Sequence, residues 1–178
     1  MGHKEVYVVT NSPNTTRIAT GGKEEDAIKI WDTKTGKLLY TLKQDSTVKS
    51  LAWTWDGGKL ISGSMDGSIK IFDTITWQQV AVLKSHEHSV NALSLFQNNR
   101  LLVTASEFTA CLWSLDTNLP VGPLLQHEAT VSSAAISADG KLLLTGCFDT
   151  NAHVWDIHTV LKSVGHEDLL SVPDVSAF

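Results

Sequence analysis

The chain has 178 residues, 42% of them hydrophobic and 19% charged, with a net charge of −5. That profile fits one globular domain with a sizeable core and excludes a disordered chain. Its 14 Lys and Arg are scattered, so the clustered basic footprint of a nucleic-acid binder is missing.

Short strands and tight turns are predicted from the first residues onward. Residues 6–10, 17–22 and 27–32 read as strands, the first two parted by a turn over 11–14. A second unit follows with strands at 46–53, 60–64, 68–73 and 78–84. Its turns hold Asp56-Gly57 and Asp66-Gly67, where Gly accepts positive φ and Asp can bond its own backbone. A third unit has 89–96, Asn98-Asn99, 100–106 and 109–114. A fourth has 130–137, Asp139-Gly140, 141–147, Asp149-Thr150, 151–156 and a final strand over 160–164. No segment settles on a 3.6-residue hydrophobic period, so no helix is predicted. After Val164 the alternation stops, and the tail with Pro173 reads as a linker or the start of a further unit.

The units recur. An aromatic residue closes the same pattern at Trp31, Phe72, Trp113 and Trp155, at intervals of 41, 41 and 42 residues. A fixed period of about 40–45 residues marks a repeat architecture. Such a chain is a binding surface more readily than a pocket for chemistry.

Cys111 and Cys147 lie in apolar runs and give neither a disulfide framework nor a metal-binding pair. They read as small buried hydrophobes, and reduced thiols suit an intracellular home, cytoplasmic or nuclear. The N-terminus lacks a signal-peptide pattern, Val6 stands where a myristoylation signal needs Ser or Thr, and no stretch is long enough to span a membrane.

The units resemble WD repeats over residues 2 to about 166. The resemblance rests on the aromatic-Asp endings Trp31-Asp32, Phe72-Asp73 and Trp155-Asp156, and on the openings Gly2-His3 and Gly165-His166 with variants Ser85-His86 and Gln126-His127. It implies an all-β fold of four four-stranded antiparallel blades in a propeller or propeller arc. The repeats occupy 1–166, at about 2–43, 44–84, 85–125 and 126–165, with 167–178 as a tail or truncated further repeat. Both ends fall at a repeat boundary. Three completions stand open: a longer propeller, two chains closing a ring of eight blades, or an open arc or small strained ring.

The resemblance also implies a hydrogen-bonded chain in each blade, from an entering His through a Ser or Thr and a turn Asp to the Trp. The fourth unit matches with His127, Thr145, Asp149 and Trp155. The third keeps His86, Thr104 and Trp113, with Glu107-Phe108 where Asp belongs. The first has His3, Thr20 and Trp31, with Glu25 and Asp26 in a longer turn. The second keeps Ser62 and Asp66 but has Gln44 for His and Phe72 for Trp. Phe cannot donate, so this blade is expected to rely most on apolar packing.

Candidates for chemistry are weak. His86-Glu87-His88 lacks further ligands, and no nucleophile elbow or phosphate loop is present. His153 alternates outward and reads as solvated. No metal, cofactor or catalytic residue is expected. The resemblance places the turn residues Met65, Phe108 and Phe148 on one rim with Thr47, His88 and Thr130 of the loops before each first strand; aromatics and Met suit a partner's anchors. Trp77 is expected on the opposite face as a second contact, and Trp53 in the core. The expected function is a non-catalytic scaffold for a protein or peptide, without nucleic acid or membrane. The alternatives are a sensor segment of a larger signalling protein and, from another class, an enzyme with a channel site.

Overall fold

A computed structural model describes residues 3–23, 27–84, 86–96 and 99–171. The expected turn residues Glu25, Asp26 and Asn98, the openings Gly2 and Ser85, and the end of the tail with Pro173 lie outside them. Four antiparallel sheets follow one another along the chain. The first is β1 (Glu5–Asn11), β2 (Arg17–Lys23), β3 (Ile28–Asp32) and β4 (Leu38–Leu42), paired in that order. The second is β5 (Val48–Trp53), β6 (Lys59–Ser64), β7 (Ser68–Asp73) and β8 (Gln79–Lys84). The third is β9 (Ala92–Leu95), β10 (Leu101–Ala105), β11 (Thr109–Ser114) and β12 (Leu119–Gln126).

The fourth has only β13 (Val131–Ile136), β14 (Leu142–Cys147) and β15 (Ala152–Asp156). The expected last strand over 160–164 is instead covered largely by helix α1 (Ile157–Lys162). Asp156 stops the strand and caps the helix, its carboxylate accepting from the Thr159 amide at 2.8 Å. Ile157 and Leu161, spaced i and i+4, are buried on one side of the helix, in the cluster that holds Val121 and Leu125 of β12. That spacing is helical; reading the segment as a repeat of the earlier units hid it. A 3₁₀ turn over Glu167–Leu170 follows where a linker was expected. Leu169 is buried, and Arg100 pairs with Asp168 at 2.8 Å and with Asp116 at 2.7 Å, tying this turn to the third sheet.

Hairpin turns explain why the strands stop where they do. Asp56 accepts from Thr54 Oγ1 at 2.6 Å and from the Gly58 amide at 2.9 Å, and Gly57 takes a φ of +72°. Ser137 and Asp139 repeat the arrangement before Lys141.

The sheets stack face to face in chain order through β1, β5, β9 and β13. Each contact buries the residues immediately before a network hydroxyl and before its aromatic partner. Ala19 and Ile30 of the first sheet cluster with Leu51, Trp53, Leu60 and Phe72 of the second. Ile61 and Ile71 of the second cluster with Leu102, Cys111 and Trp113 of the third. Val103 and Leu112 of the third cluster with Leu143 and Trp155 of the fourth. Burial of each large aliphatic side chain contributes about 1.5–3 kcal/mol. Among the described residues, no comparable contact joins β13 or β14 back to β1 or β2.

Candidate functional site

Three of the four sheets carry one hydroxyl that links a His to a Trp. Thr20 Oγ1 lies 2.8 Å from His3 Nε2 and accepts from Trp31 Nε1 at 2.9 Å. In the third sheet Thr104 Oγ1 is 2.7 Å from His86 Nε2 and 2.9 Å from Trp113 Nε1. In the fourth, Thr145 Oγ1 is 2.8 Å from His127 Nε2 and 3.2 Å from Trp155 Nε1. A buried hydroxyl, imidazole and indole each need a partner, and here each supplies the other's.

The turn Asp stands apart from this chain. Asp149 accepts from the Asn151 amide at 3.1 Å and its side chain at 2.9 Å, while His127 Nδ1 meets the Leu125 carbonyl at 3.0 Å. The carboxylate is spent on its own turn, which lowers its pKa through the Asn151 bonds. Asp66 likewise holds Ser68, by its amide at 3.1 Å and its hydroxyl at 2.7 Å. In the third sheet, where Asp is missing, the Thr109 hydroxyl sits 3.1 Å from His86 Nδ1.

The second sheet solves the same problem differently. The Gln44 amide donates to Ser64 Oγ, and Ser62 Oγ donates to Gln44 Oε1 at 3.4 Å. Phe72 makes no such bond and is buried against Trp53 and Leu60. His153, expected outward, is half-buried across from Thr145. Its ring packs edge-on to His127 at 5.0 Å and stacks on Trp155 at 6.2 Å. Burial drives the His86 pKa down to about 4, and burial with the neighbouring His153 lowers that of His127, so both are neutral near pH 7.

The rim residues divide. Met65, Phe108 and Phe148 are exposed. The Met65 amide donates to the Thr47 carbonyl at 2.8 Å, and the Phe148 amide to the Thr130 carbonyl at 3.0 Å, so each turn is pinned to its own entry loop. The Ser106 hydroxyl binds the His88 carbonyl at 3.0 Å in the third unit. Here two of the six expected residues share a hollow: His88 and Phe108 line a cleft of about 210 Å³ with His86, Thr109 and Leu124. His88 Nδ1 is 3.6 Å from Glu107.

A larger hollow on the opposite side was not foreseen. It measures about 550 Å³ and is walled by Pro13, Arg17, Trp53, Trp55 and Ile75. Trp55 and Ile75 are exposed there. The signal was two apolar residues in hairpin turns, positions that polar residues normally hold. Trp77, expected at this surface as a contact, is buried. Its ring lies 5.1 Å from Tyr40 and 6.0 Å from Trp53, with the Arg17 guanidinium over it at 5.3 Å. Its φ of +57° matches that of Gly36 at +67° in the first unit's turn, so packing holds a bulky residue in a glycine conformation.

Stacked antiparallel units of three or four strands, three of them locked by the same His-Thr-Trp set, define a blade-repeat protein of the propeller class. The WD domain, G-beta repeat family matches residues 1–32, 36–73, 77–114 and 119–156, and the chain belongs to that family. Residues of the chain are 33% identical over 61 residues to eukaryotic translation initiation factor 3 subunit I of Phaeosphaeria nodorum, covering 34% of this chain and 18% of that protein. The same subunit of Scheffersomyces stipitis is 37% identical over 62 residues, covering 34% and 17%. A WD repeat-containing protein, the WDS homolog of Arabidopsis thaliana, is 39% identical over 64 residues, covering 34% and 12%. The chain thus matches less than a fifth of the length of each of these relatives.

Proposed function

We propose that the chain is a non-catalytic scaffold that binds a protein or peptide on the rim formed by Met65, Phe108 and Phe148 with Thr47, His88 and Thr130. The observation that carries this reading is the cleft beside Phe108. An exposed aromatic, a half-exposed imidazole and the Leu124 side chain converge there on backbone fixed by hydrogen bonds. Rigid aromatic surface of this kind anchors partners at low entropic cost. The buried imidazoles are committed to hydroxyls that recur from unit to unit, which favours structure over catalysis. Two relatives are named as a subunit of an initiation factor, and by that likeness the chain works as part of an intracellular protein assembly.

A second reading has the same function on the opposite side, at the hollow beside Trp55 and Ile75, and its larger volume favours it. Affinity capture separates the two. Wild type, Phe108→Ser and Ile75→Ser are compared for one and the same retained protein. Loss of that protein with Phe108→Ser alone supports the rim. Loss with Ile75→Ser alone moves the site across the molecule, and retention by both variants overturns both placements.

A further inference from the structure

The fourth sheet leaves open a face that every earlier sheet has covered. The side chains just before the network hydroxyl and just before the aromatic are Ala19 and Ile30, Ile61 and Ile71, then Val103 and Leu112, all buried by the following sheet. Their counterparts in the fourth sheet, Leu144 and Val154, pair across β14 and β15 and are 42% and 62% exposed.

A second feature of the same contact recurs independently. The residue after each network hydroxyl is small: Gly21, Gly63, Ala105 and Gly146. A Cβ on Gly21 would stand 2.6 Å from Val48 Cγ1, and one on Gly63 2.6 Å from Val90 Cγ1. Ala105 clusters with Val131. Each is a seat for the valine that opens the next unit, and those three valines are fully buried. A Cβ on Gly146 meets only Ser133 Oγ of its own sheet among the described residues. The matching valine of the first sheet is Val6. It pairs with Gly22 ahead of the same register shift that follows Val48 and Val131, and it is 51% exposed. The face beside it carries Val9, Ile18 and Trp31, all exposed or half-exposed; the counterparts of Ile18 in the later sheets, Leu60, Leu102 and Leu143, are fully buried, and Phe72 and Trp113 are buried in the place of Trp31.

We propose that a second copy of the chain covers the fourth sheet with its first sheet, Val6 of one copy seating on Gly146 of the other. The contact is head to tail, and made twice it closes two copies into a ring of about eight blades, within the range of propellers. What points to a second copy is register: among the described residues, the open face of the first sheet has the register of the faces that cover the other three sheets.

Sedimentation of the wild type, Val154→Glu and Val6→Glu tests this. All substituted positions are exposed, so folding is checked by circular dichroism, and Leu144→Lys replaces Val154→Glu if that variant fails to fold. The wild type is expected at about 39 kDa, twice the chain mass of 19.4 kDa. Each variant alone is expected near 19 kDa, and their equimolar mixture, which keeps one intact pair of faces, regains the larger mass. A wild type that stays near 19 kDa at every concentration, or grows into a ladder beyond two copies, overturns the proposal. So does a variant that keeps the wild-type mass, or a mixture that does not re-associate.

Discussion

Trp113 Nε1 donates to Thr104 Oγ1 across 2.9 Å inside the third sheet, with both side chains buried. The same hydroxyl meets His86 Nε2 at 2.7 Å, so one oxygen satisfies two buried nitrogens. Thr104→Val keeps the shape and leaves both unpaired. The expected loss is about 2–6 kcal/mol, from roughly 1–3 kcal/mol for each of the two orphaned groups. Thr20→Val is expected to cost less, because Thr20 and Trp31 are half-exposed and water can replace the hydroxyl. Urea unfolding of the two variants reads the difference. A double cycle with Trp113→Phe should return a coupling of about 1 kcal/mol.

Acid should weaken the fold through the buried His86. His86 takes its proton near pH 4 in the folded chain, against 6.5 when free. Between those values only the unfolded chain gains a proton. Stability is therefore full above pH 6.5, falls as the pH drops toward 4, and then levels off. The loss from this group is about 3 kcal/mol at most. Depressed carboxylates such as Asp73, held down by Thr76, act at lower pH, below their ordinary value of 3.8. His86→Gln copies the second sheet's use of Gln44 and should flatten the slope between pH 6.5 and 4 in thermal melts. An unchanged slope would remove His86 as its source.

The helix that replaces a strand depends on its cap. Asp156→Ala removes the acceptor for the Thr159 amide and should cost about 1 kcal/mol. The effect should be local: hydrogen exchange should quicken over α1 and not in β10 or β11. Uniform acceleration throughout the chain would contradict a local cap.

Arg100 joins three pieces of backbone through Asp116 and Asp168. Both carboxylates are largely exposed, so Arg100→Ala should lower global stability by no more than about 1 kcal/mol. It should nonetheless release the 3₁₀ turn, seen as faster proteolysis near Leu169.

The spacing of Trp31, Phe72, Trp113 and Trp155 makes the blade architecture legible, because each aromatic is the next-to-last residue of the third strand of a sheet. The shared hydroxyls were legible for the same reason: they lie at one register position opposite the strand that carries the aromatic. What the letters hid was competition for partners. Asp149 has an amide two residues away and spends its oxygens there. Alternation alone places His153 outward, but it cannot tell a solvent face from one covered by His127, whose ring lies 5.0 Å away. A turn position predicts exposure for Trp77, yet Trp53, Tyr40 and Arg17 enclose it from two sheets. The repeat predicts a strand in the place of helix α1, although Ile157, Val160, Leu161 and Val164 have helical spacing.

The placement of binding on the rim is tested most directly by a photo-crosslinking amino acid introduced at Phe108, at Ile75 and at Val154 in separate chains. The account predicts a discrete protein adduct from position 108, none from 75, and from 154 only an adduct between copies of the chain. An adduct to the same protein from position 75 and not from 108 would contradict it.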